Sequence, residues 1–595
     1  MIKKLAAYIG KYKKYVLLSP ILVFLDVLAE LSMPLLMARI VDVGIQSKDL
    51  GYIVNIGLLM ALLAIVAIVF GIILMRYASV ASQGFGANLR DALFKTIQSF
   101  SFKNIDKFGT SSLVTRLTND VNNVQMTFMV ILRMLLRAPM MMIVAFFFAY
   151  RINAQLSSVI AIAIPLLAIA VILIMRKAST LFTTIQEKID QINKTLQENL
   201  IGIRVVKSFV RTDYEKSKFK KSNDELTIAG IRASKVVILN MPVMMLIMNG
   251  ATLAIIWFGG NMVYTGGLGA GELISLISYI MQILMSVMMI SMIFIMSARA
   301  TASAKRILEV LETEVDITDK PEISAPLLPE TNLANASDGQ QSIIQLGKVE
   351  FRNVSFKYNV TGSGEDVLQG ISFIANPGEV IGLIGGTGAG KSTLVNLIPR
   401  LYDATEGEIL VDDVDVRDFK LENLRREIGV VLQNNTLFSG TIRDNLLWGN
   451  ENATQEEIEI ACKNAQAHDF IMSFPKGYET DLGQGGVNVS GGQKQRLCIA
   501  RAMLKKPRIL ILDDSTSAVD SATEAKIRES FDKDFANTTI FIIAQRISSV
   551  RHADKIIILD DGKVVGMGTH EELLANNTVY QEINTSQQEG VLANG

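Results

Sequence analysis

Residues 379–393 read Glu379-Val-Ile-Gly-Leu-Ile384-Gly385-Gly386-Thr387-Gly388-Ala389-Gly390-Lys391-Ser392-Thr393. An apolar run with buried-strand composition meets a glycine-rich loop, and an apolar helical run follows. This is G-x-x-x-x-G-K-[ST] in the strand–loop–helix context that gives the pattern its meaning. The glycines let successive backbone N–H groups turn inward around phosphate oxygens at a helix N-terminus. Lys391 is expected to supply a point charge to the β- and γ-phosphates of a nucleotide, and the Ser392 hydroxyl to ligate Mg2+.

Downstream, a second strand, Arg508-Ile-Leu-Ile-Leu512, ends in Asp513-Asp514. An acid at the end of an apolar strand beside such a loop holds Mg2+, which points to Asp513; Asp514, the next residue, would orient the attacking water. Val489-Ser490-Gly491-Gly492-Gln493 opens a helix. Its hydroxyl and N–H groups suit a γ-phosphate, yet nothing local supplies the rest of a site.

Upstream the chain changes character. Of 595 residues, 50% are hydrophobic and only 19% charged, and the uncharged runs concentrate before residue 300. A bilayer core takes about 20 apolar residues as a helix. Residues 53–75, 156–175, 236–258 and 273–296 meet this without a charge. Residues 16–37, with Asp26 and Glu30, and 126–150, with Arg133 and Arg137, make two weaker spans, so six are expected. Lys3, Lys4, Lys11, Lys13 and Lys14 precede the first span, and the long segments after spans two and four are rich in Lys and Arg. Both termini and these loops are therefore expected in the cytosol, with the first span acting as its own anchor rather than a cleaved signal. The periodicity of the two long loops predicts helices running far beyond the bilayer, with turns at Lys103–Thr110 and Phe209–Glu215.

The Pro-, Ser-, Asn- and Asp-rich stretch 312–345 reads as a linker. The expected organisation is a membrane domain over 1–311, the linker, an α/β domain over 346–585 and a tail over 586–595. Acidic and basic residues balance at 58 each, which argues against a nucleic-acid partner. Cys462 and Cys498 lack metal-ligand spacing and read as buried free thiols.

This combination resembles an ATP-binding cassette (ABC) exporter of the half-transporter type over nearly the whole chain. The resemblance implies a six-helix membrane domain with long cytosolic extensions followed by an α/β P-loop nucleotide-binding domain, two chains per transporter, and loop tips that act as coupling helices. By it, Tyr358 stacks on adenine and Gly385–Thr393 is the Walker A loop. Gln433 is the Q-loop residue, contacting Mg2+ and sensing the membrane domain. Ser490, Gly491, Gly492 and Gln493 form the signature, here preceded by Val489 instead of Leu. Ser517-Ala-Val-Asp520 is the D-loop.

Two departures stand out. The family's catalytic glutamate is here Asp514, and its switch histidine is Gln545, after Ile540-Phe-Ile-Ile-Ala544. The three histidines, His468, His552 and His570, lie elsewhere. Aspartate draws the carboxylate back by about an ångström, a misplacement that can cost roughly 10²-fold in rate. Gln484 also stands where exporters usually carry Glu. Because the family's nucleotide domains pair head to tail, weak hydrolytic residues beside an intact signature imply a heterodimer, the alternative being a homodimer with two slow sites. The second half-transporter would bring Glu and His, while Asp514 and Gln545 mark a slow site.

Of 26 methionines, most precede residue 320 and several cluster on spans three, five and six: Met140–Met142, Met241, Met244, Met245, Met248, Met281, Met285, Met288, Met289 and Met292. Such flexible, polarizable side chains suit a cavity for varied apolar cargo, or fill the core and face lipid. Asp26 and Glu30, one turn apart, either attract cationic amphiphiles or pair with Arg133 and Arg137. The expectation is a subunit of a multidrug exporter in a bacterial plasma membrane. The alternatives are a lipid or peptide exporter, or an ATP-gated regulator or channel.

Overall fold

The computed structural model describes residues 1–320, 344–358, 366–514 and 519–594. Ser517 and Ala518 of the expected D-loop fall outside them, as does the side chain of Met292. The chain forms two compact units, Met1–Gln98 with Gly109–Thr313, and Ser99–Phe108 with Glu314–Gly595.

The first unit is helical. Six helical stretches among the described residues are long and apolar enough to cross a membrane: Lys3–Ile45, Leu50–Ser99, Thr110–Ile152, Ala154–Ile201, Thr212–Tyr264 and Ala270–Ile290. Leu50–Ser99, at 50 residues, is about 75 Å long at 1.5 Å per residue. Leu58, Leu62, Ile65, Val69 and Ile72 form one exposed face on it, the stripe expected of a lipid-facing helix. Within the unit, Val23, Val27 and Leu31 pack against Met141, Ala145 and Ala149 and against Leu276, Tyr279 and Ile283. Polar bonds stitch the same helices. The Tyr279 hydroxyl donates to the Leu31 carbonyl at 2.8 Å. Asp42 accepts from the Gly271 and Glu272 amides at 2.6 and 2.9 Å, satisfying orphan donors at the start of the last helix.

Three expectations need correction. Both loop tips are short helices. Phe102–Phe108 occupies most of the turn expected at Lys103–Thr110, leaving Gly109 as the break. Ile203–Ser208 precedes the other break, at Phe209–Arg211, where Val210 takes a left-handed backbone with φ 55°, and Thr212–Glu215 are already helical. The α/β domain begins before 346, since Ile344 is fully buried in its core. The tail expected at 586–595 continues a helix, Thr578–Asn594.

In the second unit, β1 (Val349–Phe356), β2 (Leu368–Ala375), β3 (Val380–Gly385), β4 (Glu406–Val411), β5 (Val414–Asp415), β6 (Ile428–Val431), β7 (Gly440–Thr441), β8 (Asp481–Leu482), β9 (Ile509–Asp513), β10 (Thr539–Ile543), β11 (Lys555–Asp560) and β12 (Lys563–Gly568) follow in order. The main sheet runs β12-β11-β3-β10-β9-β6, and a four-stranded antiparallel sheet runs β2-β1-β4-β5. From β11 to β6 the main sheet is parallel, which explains the unbroken apolar runs of β3, β9 and β10: both faces are buried. Open parallel sheets bind ligands beyond the carboxyl ends of their strands. The segments leaving β3, β10, β9 and β6 are Gly385–Lys391, Gln545, Asp514 and Gln433.

Candidate functional site

The loop after β3 has glycine where its backbone requires it. Gly388 and Gly390 adopt φ 86° and 92°, and a Cβ on Gly390 would collide with the Val367 carbonyl and Leu368. Around Gly386 and Gly388 the space is open, so their amides remain approachable. The Lys391 ammonium lies back across the loop, donating to the Gly385 and Gly386 carbonyls at 2.8 and 2.7 Å. Burial lowers its pKa, against the pull of Asp513 and Asp514. A half-buried cation beside open amides at a helix N-terminus fits a polyphosphate.

Parallel register sets Asp513 opposite Ile543 and Ile543 opposite Leu383, which brings the end of β9 toward the β3 loop. The Ser392 hydroxyl donates to the Asp513 carboxylate at 3.0 Å. Asp513 is buried, and burial raises its pKa. A hydroxyl and a carboxylate held together, without sulfur or imidazole, are hard oxygen donors that fit Mg2+.

Asp514 turns away from the strand with φ 48°, a conformation that aspartate tolerates better than most residues. Its amide donates to the Ile543 carbonyl at 3.0 Å. Its carboxylate accepts from the Gln545 amide nitrogen at 3.1 Å. The structure thus joins the two residues that depart from the family pattern. Gln495, which sequence reasoning did not single out, is buried and donates to the Asp514 carbonyl at 3.4 Å.

The Tyr358 hydroxyl and Thr393 Oγ1 share a hydrogen bond of 2.8 Å. Its ring meets Phe356 and Tyr402 edge-on at 4.9 and 5.3 Å. Tyr402 is a second residue that sequence reasoning missed.

The remaining expected residues stand apart. Gln433 is exposed, and among the described residues no hydrogen bond ties it to Ser392 or Asp513. Ser490 caps the helix Gly491–Leu504, exchanging bonds with Gln493 at 3.3 and 2.9 Å; this capping box presents the N-terminal amides of Gly491 and Gly492. No hydrogen bond among the described residues joins Ser490–Gln493 to Gly385–Thr393. Asp520 caps Ser521–Asp534 by accepting from the Thr523 amide at 3.0 Å, and that bond holds its carboxyl below the usual range.

Asp26 and Glu30 both pair with Arg137, at 2.5 Å for Asp26, and Arg133 takes no part in either pair. Met141, Met244 and Met248 are buried core residues, whereas Met241, Met245, Met281 and Met285 are exposed.

Comparisons with known proteins agree with this architecture. Residues 16–287 match the family profile of the ABC transporter transmembrane region, and residues 368–517 match that of the ABC transporter. Over 585 residues the chain is 40% identical to the ABC transporter ATP-binding protein YfiB of Bacillus subtilis, covering 98% of each. It is 32% identical over 597 residues to YgaD of the same organism, provisionally named a multidrug export ATP-binding/permease protein, covering 99% of each. Among solved structures, a bacterial Atm1-family ABC exporter with ATP bound shares the fold with a TM-score of 0.78 at 23% identity, over 97% of this chain and 99% of that one.

Proposed function

The chain belongs to the ABC transporter family, and from that premise we propose that it is the slow-site subunit of a heterodimeric ATP-driven exporter of hydrophobic and amphiphilic compounds. The observation that carries the reading is the Asp514–Gln545 pair at 3.1 Å. A neutral amide holds the shortened carboxylate. Glutamine cannot take a proton or carry charge toward a γ-phosphate, so neither residue supplies what a glutamate with a histidine would.

On this reading Tyr358 stacks on adenine, the loop amides and Lys391 bind the phosphates, and Ser392 with Asp513 holds Mg2+, aided by Gln433. When bound, Mg2+ neutralises phosphate charge. Asp514 orients water from a retracted position, and the site retains ATP longer than it cleaves it. Among the described residues, no hydrogen bond joins Ser490, Gly491, Gly492 or Gln493 to their own chain's loop. They complete the site of a second half-transporter, which brings its own Glu and His, with Asp520 lining the same junction.

The two loop tips support a partner. The segment Ser99–Phe108 bonds within its own α/β unit, through Ser101 to Asp316 and Asn104 to the Glu314 carbonyl. The tip at Ile203–Ser208 exposes Val205 and, just beyond it, Phe209, Val210 and Tyr214, surface that suits the partner's nucleotide domain. The exposed methionines and the multidrug-export name of the relative YgaD support apolar cargo. A bacterial plasma membrane, with both termini cytosolic, is the proposed location.

The test is transport by the chain reconstituted with its partner in proteoliposomes, using a lipophilic cationic dye and a fluorescent phospholipid as probes. Uphill, ATP-dependent dye movement supports the reading. Movement of the phospholipid alone would make the protein a lipid exporter, and dye movement only down its gradient would make it an ATP-gated channel. Brisk hydrolysis by the chain alone would remove the slow-site assignment.

A further inference from the structure

One side chain from the end of the protein reaches the segment that carries Gln545. The carboxamide of Gln587 accepts from the Ile547 amide at 2.9 Å and donates to the Gln545 carbonyl at 2.8 Å. A single side-chain amide thus makes both bonds that a neighbouring strand would make, one on each side of Arg546. The segment needs such a partner. β10 ends at Ile543, so the Gln545 carbonyl lies beyond the sheet ladder. The Ile547 amide opens the short helix Ile547–Val550, whose cap residue Arg546 makes no side-chain capping bond. Each group is one that a fold normally satisfies.

Gln587 is anchored to do this. It lies on Thr578–Asn594 at the i, i+3, i+7 spacing from Tyr580 and Ile583, one face of a helix. Tyr580 is fully buried and packs with Ile583 in the same core as Ala544 and Ile547, the residues on either side of the Gln545–Arg546 pair. The Tyr580 hydroxyl shares a 2.7 Å hydrogen bond with His570 Nδ1. The carboxamide is therefore fixed relative to the core, and the backbone of Gln545 is fixed to the carboxamide.

We propose that Gln587 is a positioning residue for the chain's own nucleotide site. It holds the Gln545 backbone so that the side-chain amide stays on the Asp514 carboxylate, which makes the C-terminal helix part of the hydrolytic machinery. This rests on the assignment of Asp514 and Gln545 to the hydrolytic position. The helix does not touch the nucleotide loop by this route; it acts through one backbone segment.

The experiment is a double-mutant cycle on the full-length chain in lipid nanodiscs, following phosphate release from [γ-32P]ATP, which registers a slow site as well as a fast one. Gln587→Met keeps length and helix-forming character but removes both bonds. The expected result is a kcat about five- to ten-fold lower with KM for ATP unchanged, part of the roughly 10²-fold that an ångström of misplacement can cost. In a Gln545→Ala background the same substitution should change nothing further. Gln587→Glu, which keeps the acceptor for Ile547 and loses the donor to Gln545, should give an intermediate rate, and it carries the cycle if Gln587→Met does not fold. If wild-type release is too slow to follow, the same variants are scored on the dissociation rate of [α-32P]ATP, where acceleration that disappears in the Gln545→Ala background is expected. An equal fold-change in both backgrounds, or a lower melting temperature with kcat and ATP dissociation intact, overturns the proposal. The wild-type rate itself judges the slow-site assignment, so the two readings fail separately.

Discussion

The Tyr402 hydroxyl donates to the Asp106 carboxylate at 2.8 Å, while the same ring stands edge-on to Tyr358. Asp106 lies on the short helix Phe102–Phe108, between two membrane-spanning helices in the sequence. Tyr358 in turn bonds Thr393 of the nucleotide loop. Two side chains thus link a loop tip to the proposed adenine site.

Tyr402→Phe keeps the ring and removes only the bond to Asp106, worth about 1 kcal/mol. Burial, with Asp106 alongside, pushes the phenol well above its usual range, so the donor persists at every working pH. ATP affinity should stay within about two-fold, while stimulation of ATP hydrolysis by an apolar cargo falls several-fold. Equilibrium binding of a fluorescent ATP analogue, alongside ATPase assays with and without a lipophilic dye, checks both. Unchanged stimulation would show that the tip acts by another route.

Asp514→Glu with Gln545→His should raise ATP hydrolysis by the chain purified alone at least about ten-fold, because an ångström of carboxylate placement is worth up to roughly 10². Each substitution alone should give less than its share. Asp514→Glu leaves a longer carboxylate facing the same neutral amide, and Gln545→His faces a retracted one. Initial rates of the two singles and the double form the measurement, and equal rates for all would place the limit elsewhere.

What the sequence made legible follows from what is contiguous. Gly385–Thr393 comes from one strand, one loop and one helix, and Asp513 closes a run of four apolar residues, so local pattern suffices. Four of the six spans are legible because each uncharged run reaches the length a bilayer demands; the two that carry charges inside, 16–37 and 126–150, read more weakly. Tyr402 and Asp106 lie 296 residues apart, and Gln587 lies 42 from Gln545; no local pattern records such meetings. The sequence offered both Arg133 and Arg137 as partners for Asp26 and Glu30, but only packing between helices selects Arg137. The break at Phe209–Arg211 hinges on Val210 in a left-handed conformation, which β-branched residues rarely adopt. The polar end of the chain read as a tail because its anchors, Tyr580 and Ile583, precede it.

Cys462 and Cys498 should resist alkylation in the folded protein. Both are buried, and burial pushes the Cys462 thiol up to about 12 and raises that of Cys498. At pH 8 about one Cys462 in 10⁴ is thiolate, the reactive form. Iodoacetamide labelling followed by mass spectrometry should show almost no modification until denaturant is added. Prompt labelling of either residue in the native protein would contradict the packing of Ile458, Ala461 and Leu497 around them.

Arg137→Met should destabilise the membrane unit by about 3 kcal/mol, near the lower end for a broken buried ion pair because Glu30 is partly exposed. The substitution removes the guanidinium that pairs with both acids. Asp26, with a side chain only 7% exposed, and Glu30, at 38%, are then left as like charges one turn apart. Neutralising all three with Asp26→Asn, Glu30→Gln and Arg137→Met should recover most of the loss, since the penalty comes from uncompensated charge and not from missing attraction. Arg133→Met, which breaks no ion pair among the described residues, should cost no more than about 0.5 kcal/mol. Melting temperatures of the four proteins in one detergent read these differences in order. A triple variant as unstable as Arg137→Met would mean that the guanidinium's packing, and not its charge, holds these helices together.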